Sequence, residues 1–228
     1  MTGNNTRTVF SSQEAVHPRL KPLLQKHSSR QWQRALHRPT VEAFETLQEA
    51  GVTGRERIVL DSGCGTGEST LQLARAMPDC LVIGVDKSES RLSRLDAPSF
   101  PHRKGNSVWL RAELSTFWRL ALAAGCRLHR HYLLYPNLWP KPGQLQRRWH
   151  ADPVFHVMVS LGGRLELRCN WEIYALEFAL AAKQLLGLDV QPQQLAKSEV
   201  SSPFERKYLA SGHTLYSVVV SCDSGLVK

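Results

Sequence analysis

The sequence has little that would mark a membrane, secreted or metal-binding protein. In 228 residues no apolar run approaches the roughly 18 that a membrane span requires. Met1-Thr2-Gly3-Asn4-Asn5-Thr6-Arg7 lacks the apolar stretch of a secretory signal. Cys64, Cys80, Cys126, Cys169 and Cys222 form no C-x-x-C pair and lie beside no paired histidines. Neither a disulfide framework nor a metal site is therefore expected, but buried thiols in a reducing, cytoplasmic setting. No internal repeat and no second core is visible. Negative charge is also in short supply, with 20 acidic residues against 29 Lys and Arg, a formal net charge of +9. Such an excess favours a polyanionic partner, since each cation that meets a phosphate releases counterions, although charge alone does not decide for nucleic acid.

What is present is concentrated in one stretch, Ile58-Val59-Leu60-Asp61-Ser62-Gly63-Cys64-Gly65-Thr66-Gly67, followed by the helical pattern Glu68-Ser69-Thr70-Leu71-Gln72-Leu73-Ala74-Arg75-Ala76-Met77. A β-branched run, three glycines at alternate positions and a helix start describe a strand, a tight turn and a helix N-terminus. Glycines allow positive φ and let a ligand lie on bare backbone, and the helix start offers unpaired N–H groups. The dinucleotide fingerprint spaces its glycines G-x-G-x-x-G, whereas Gly67 comes one residue too soon for it. Asp61, just before the first glycine, would repel a pyrophosphate but would pair with an ammonium group. S-adenosylmethionine carries such a group. A second buried strand, Leu81-Val82-Ile83-Gly84-Val85-Asp86, ends in an acid where an open α/β sheet places a carboxylate for ribose hydroxyls. Together these features predict the cofactor half of a class I S-adenosylmethionine-dependent methyltransferase, with Asp61, Gly63, Gly65 and Gly67 at the methionine end and Asp86 at the ribose.

Along the rest of the chain, residues 1 to about 16 read as a mobile polar arm, and basic residues thicken from His17 to Pro39 around Leu20, Leu23, Leu24, Trp32 and Leu36. A boundary is placed there, with a basic N-terminal arm and short helices over 1–38 and the catalytic domain over 39–228. Thr40 is the expected cap of a helix to Ala50, with Gly51 as its stop. The stretch 96–106, rich in Pro, Gly and charge, reads as a loop. The third core strand, 107–111, leads to Glu113, placed either to accept from an adenine amino group or simply to begin a helix. A fourth strand ends at Leu134 and opens into Tyr135-Pro136-Asn137-Leu138-Trp139-Pro140-Lys141-Pro142-Gly143, then Arg147-Arg148-Trp149-His150. Flat rings beside cations suit an exposed or flipped base. A helix over 151–161, a strand from Arg164, a long helix after Asn170-Trp171-Glu172 and a last strand over 215–220 complete the reading.

These segments resemble the bacterial tRNA guanine-N7 methyltransferases. Tyr135-Pro136-Asn137-Leu138-Trp139-Pro140-Lys141 is similar to that family's Phe-Pro-Asp-Pro-Trp-Pro-Lys, and Arg147-Arg148 to the arginines closing its basic stretch. Gly162-Gly163-Arg164-Leu165, Asn170-Trp171-Glu172 with Tyr174, and Phe204-Glu205-Arg206 with Gly212-His213 match further family segments in order. The resemblance implies a Rossmann-like α/β fold with a mostly parallel seven-stranded sheet. It also implies S-adenosylmethionine as cofactor, tRNA as partner, a monomer or homodimer, and no metal. It makes Asn137 the candidate catalytic position, Trp139, Lys141, Asn170, Ser202 and Glu205 the lining of the substrate pocket, and Arg147 and Arg148 phosphate contacts. The departures fall on that side only: Asn137 and Asn170 stand where the family has aspartates, and Ser202 where it has threonine. Each amide keeps a carbonyl acceptor but loses the charge that strengthens a hydrogen bond to the guanine edge. A diverged enzyme acting on another RNA position or a small molecule, and a non-catalytic binder of the cofactor or of RNA, are the alternative expectations.

Overall fold

The computed structural model describes residues 6, 8–28, 34–52, 57–95, 97, 99–196 and 203–222. The chain divides into two compact units, one formed by residues 32–134, 156–165 and 221–228 and the other by 1–31, 135–155 and 166–220.

The first unit holds the glycine turn. Its central strands β1 (Ile58–Ser62) and β2 (Leu81–Asp86) are buried at every position, the pattern of parallel strands covered on both faces. Helix α1 (Leu20–Ser28) belongs to the other unit, and α2 (Arg38–Glu49) opens this one. Then come α3 (Glu68–Ala76), α4 (Glu89–Leu92), β3 (His102–Lys104), β4 (Ser107–Arg111), α5 (Leu114–Ala123) and β5 (Leu128–Leu134). β1 pairs in parallel with β2 on one side and β5 on the other, and β2 pairs in parallel with β4. The order β3-β4-β2-β1-β5 therefore reverses direction at β1. That is the topological switch point at which open α/β sheets bind ligands, beyond the carboxyl end of the strands. Phe44 of α2 meets Phe117 of α5 edge to face at 5.6 Å.

Two expectations change in this unit. The Pro- and Gly-rich stretch 96–106 contains a short strand, β3, antiparallel to β4. The exposed Arg103 and Lys104 keep this charged edge from pairing further. Thr40 does not cap α2: it lies inside the helix, whose N-cap is His37, and its buried hydroxyl accepts the Glu113 N–H at 2.9 Å.

In α6 (Val154–Ser160) the expected 151–161 helix is shorter, being preceded by 3₁₀ turns at Pro142–Arg147 and Trp149–Ala151. β6 (Gly163–Cys169), α7 (Glu172–Leu186), β7 (Gln193–Gln194), α8 (Pro203–Ala210) and β8 (Tyr216–Cys222) follow. β7 pairs antiparallel with β8. The described strands thus number eight where seven were expected, the two shortest being β3 and β7. In the second unit Leu20 of α1, with no exposed surface, packs with Leu145, Ala151 and Leu180. Two described residues of the N-terminal segment are tied to this unit. Ser11 Oγ donates to the Pro140 carbonyl at 2.6 Å, and Gln13 reaches Glu177 and Arg148.

Candidate cofactor and substrate sites

All three glycines after β1 have left-handed backbone, with φ of +79° at Gly63, +59° at Gly65 and +79° at Gly67. An L side chain is strained there, which is why the turn needs glycine. Gly63 has nothing within 4 Å of where a Cβ would stand, and Gly65 only the Arg91 side chain at 3.9 Å. Their bare backbone faces open space that a ligand can enter. Gly67 is different: a Cβ there would sit 2.5 Å from the Trp109 indole nitrogen and 2.7 Å from Leu95. It is needed for packing.

Asp61, 1% exposed, is the penultimate residue of β1, under this turn. Its Oδ2 accepts the Ser69 hydroxyl at 2.6 Å and the Thr70 hydroxyl at 2.7 Å, while Oδ1 is buried without a hydrogen-bond partner among the described residues. Burial pushes the carboxyl up to about 6, against the two hydroxyls and with help from Asp86. A buried acceptor left unmade is costly. An ammonium group is what it lacks, so the residues fit the methionine end of S-adenosylmethionine.

Asp86 ends β2 and shapes the same turn. Oδ2 accepts the Gly65 N–H at 2.9 Å and Oδ1 the Ser88 N–H at 2.8 Å. Each oxygen keeps a lone pair, enough for ribose hydroxyls. Glu113 caps α5: Oε1 accepts from the Ser115 N–H and hydroxyl, and Oε2 from the Thr116 N–H at 2.8 Å. Burial would raise this carboxyl, but the Ser115 and Thr116 donors outweigh it and hold it low. Its helix-starting role is the one the geometry displays.

The Tyr135–His150 segment lies in the second unit. Asn137 and Lys141 are exposed. Trp139 has a left-handed backbone (φ +48°), and the exposed Arg147 guanidinium stands 4.7 Å over its ring. Arg148 corrects an expectation. It has no exposed surface and cannot reach a phosphate. Its Nη1 donates to Glu177 Oε2 at 2.6 Å, and Nε and Nη2 both donate to the Trp139 carbonyl, at 3.2 and 3.1 Å. Glu177, on α7, also accepts from Gln13 and from the His17 N–H and pairs with His150 at 2.9 Å. Burial opposes its charge, but His150 and Arg148 outweigh it and hold the carboxyl down to about 2. Burial also keeps His150 neutral.

Asn170 and Glu205 are drawn into hydrogen bonds of the same unit. Asn170 Nδ2 lies 3.1 Å from His213 Nδ1, whose Nε2 lies 3.0 Å from the Thr6 hydroxyl. The amide donates to Nδ1, so the ring carries its proton on Nε2. Glu205 is 1% exposed, accepting from Arg168 at 2.8 Å and from the Tyr135 hydroxyl at 3.2 Å. That corrects its assignment to the pocket lining: its carboxylate is engaged within the protein. Burial and Glu205 keep the Tyr135 phenol protonated, and its ring stacks on Tyr208 at 5.4 Å. Ser202 lies outside the described residues. Ser69, Thr70, Glu177 and Arg168 escaped the sequence reading. Ser69 and Thr70 at the start of α3 carried a usable signal, two hydroxyls next to a motif acid, whereas nothing local in the sequence pairs Glu177 with Arg148, 29 residues away. Among the described residues no group of three or more His, Cys, Asp or Glu is arranged to hold a metal ion, and no helix is long and apolar enough to cross a membrane.

A family model described as "Putative methyltransferase" matches residues 55–218, which include the glycine turn, Asp86 and the Trp139 loop. The chain belongs to this methyltransferase family. Curated relatives include a tRNA (guanine-N(7)-)-methyltransferase of Anaeromyxobacter dehalogenans, 28% identical over 169 residues, covering 70% of this chain and 83% of the relative. Enzymes of the same name from Aquifex aeolicus and Thermus thermophilus are 26% and 29% identical over 71% and 72% of this chain. The chain spans about half the length of these two, 55% and 53%. Among solved structures, an antibiotic-related methyltransferase is similar with a TM-score of 0.52 and 15% identity, over 85% of this chain and 97% of that one. A 16S rRNA adenine-N1 methyltransferase of Catenulisporales acidiphilia has a TM-score of 0.50 and 21% identity, over 78% and 91%. These structural likenesses speak for the fold of this methyltransferase.

Proposed function

We propose that this methyltransferase transfers a methyl group from S-adenosylmethionine to N7 of a guanine in tRNA. The observation that carries the donor is the buried, unpartnered Oδ1 of Asp61 beside bare glycine backbone. The acceptor rests on the relatives named as tRNA guanine-N7 methyltransferases, which match about 70% of the chain, and on its positive charge. In this reading Asp61 takes the ammonium group, Gly63 and Gly65 leave room for the methionine chain, and Asp86 takes ribose hydroxyls.

S-adenosylmethionine supplies an activated methyl on its sulfonium. Guanine N7 has a lone pair and no proton to lose, so the protein has only to align donor and acceptor and to exclude water. Asn137 then accepts from the guanine edge, the Trp139 ring with Arg147 over it offers a stacking surface, and Lys141 and Arg147 provide the exposed cations for phosphate. The uncharged Asn137 and Asn170 favour a second reading, in which the acceptor is another RNA base.

Isothermal titration with S-adenosylhomocysteine tests the donor, and absence of binding would sink it. Incubation with methyl-labelled cofactor and unmodified total tRNA, followed by digestion to nucleosides, tests the acceptor. Label in 7-methylguanosine is expected. Label in a different nucleoside selects the second reading, and cofactor binding without any label rejects both.

A further inference from the structure

Resting on the cofactor reading above, we infer that Ser69, Thr70 and Gly84 are positioning residues: the two hydroxyls commit Oδ2 of Asp61 and aim Oδ1 at the donor's ammonium group, and Gly84 keeps the space that Thr70 needs. A carboxylate turns easily about its terminal bond, so a buried acid of this kind has no fixed direction unless something holds one oxygen. Here two donors converge on Oδ2, at 2.6 and 2.7 Å, and none on Oδ1. Any orientation between the two equivalent ones, reached by turning about that bond, would break both hydrogen bonds.

The kind of donor matters as much as the number. Hydroxyls bond to a carboxylate without cancelling its charge, whereas a lysine or arginine in the same place would neutralise Asp61 and remove its attraction for a cation. The ionisable group acting on Asp61 is Asp86, whose own Oδ2 lies 3.9 Å from the Arg91 guanidinium, and burial keeps the neighbouring Cys64 thiol protonated. The site therefore keeps its negative charge for the ligand.

Gly84 completes the arrangement from the neighbouring strand. The β1–β2 register sets it opposite Asp61. A Cβ at Gly84 would overlap the Thr70 hydroxyl and come within 3.1 Å of the Cys64 sulfur. Glycine inside a buried strand weakens it and marks a close approach; the approaching group here is the fully buried Thr70 side chain.

The test uses the full chain with Thr70→Val, which keeps the shape and removes the hydroxyl, Thr70→Ser, which keeps the hydroxyl, Ser69→Ala at the half-buried position, and Gly84→Ala. Affinity for S-adenosylhomocysteine is measured by calorimetry, and the titration of Asp61 in the ligand-free protein by carboxyl carbon NMR. Thr70→Val and Ser69→Ala are each expected to weaken binding about tenfold, the loss of one charge-assisted hydrogen bond. Each should also move the Asp61 midpoint up by about one pH unit. Thr70→Ser should restore both, and Gly84→Ala should behave like Thr70→Val. The proposal is overturned if Thr70→Val and Ser69→Ala bind within twofold of the wild type with the Asp61 midpoint unmoved. A wild type that binds no S-adenosylhomocysteine overturns the cofactor reading and the proposal with it, whereas unimpaired binding by the variants overturns the proposal alone.

Discussion

Asp61 stands in the most buried part of the cofactor site, and its replacement by Asn should stabilise the ligand-free protein at neutral pH. The folded chain holds the Asp61 proton up to about pH 6, against an ordinary value of 3.8. Between these two values the native state binds more protons than the unfolded state, so stability falls as pH rises through the window. Two pH units correspond to about 3 kcal/mol, roughly 2 kcal/mol of which develops between about pH 4.5 and pH 7.5. Asparagine has the same shape and does not titrate, so this slope should vanish in Asp61→Asn. Urea denaturation of wild type and variant at the two pH values measures it. The stability gap in favour of the variant should widen by about 2 kcal/mol, or about 4–8 °C in Tm for a chain of this size. The same variant should lose affinity for S-adenosylhomocysteine, because the ammonium group no longer meets a charge. A gap that stays constant with pH would refute the account of Asp61 as a buried, destabilised carboxylate awaiting a cation.

Gly67→Ala should destabilise the protein by more than about 2 kcal/mol in denaturant titration, because it combines a left-handed backbone with a Cβ 2.5 Å from the Trp109 indole nitrogen. Glu177→Gln leaves the fully buried Arg148 without its counter-charge, and chemical denaturation should register a loss of about 3–5 kcal/mol. Asn137→Asp should raise transfer of labelled methyl to guanosine in tRNA, Asn137 being exposed and free to take the charge without rearrangement. Adding Asn170→Asp should help less, since an aspartate accepts where the amide donates and His213 must then present its proton at Nδ1; nucleoside analysis of the digested tRNA compares the two.

The sequence by itself determined the local and periodic features. The buried runs of β1 and β2, the three alternate glycines and the acids Asp61 and Asp86 declare themselves because strand burial, positive φ and a carboxylate at a strand end are properties of short segments. The same holds for the long α7 and for the punctuation of the Trp139 loop. Tertiary structure decided what each charge does. Arg147 and Arg148 are neighbours of identical type, yet one stands exposed over Trp139 and the other is sealed against Glu177. No sequence pattern distinguishes them, because the partner is 29 residues away on another element. The same reason hides the contacts of Glu205, Gln13 and Ser11: Arg168 and Tyr135 absorb the Glu205 carboxylate, and Glu177 and Pro140 hold Gln13 and Ser11. The orphaned oxygen of Asp61 is likewise a tertiary fact. The motif names the acid, and the hydroxyls of α3 with the space at Gly84 decide which of its oxygens is left for a ligand.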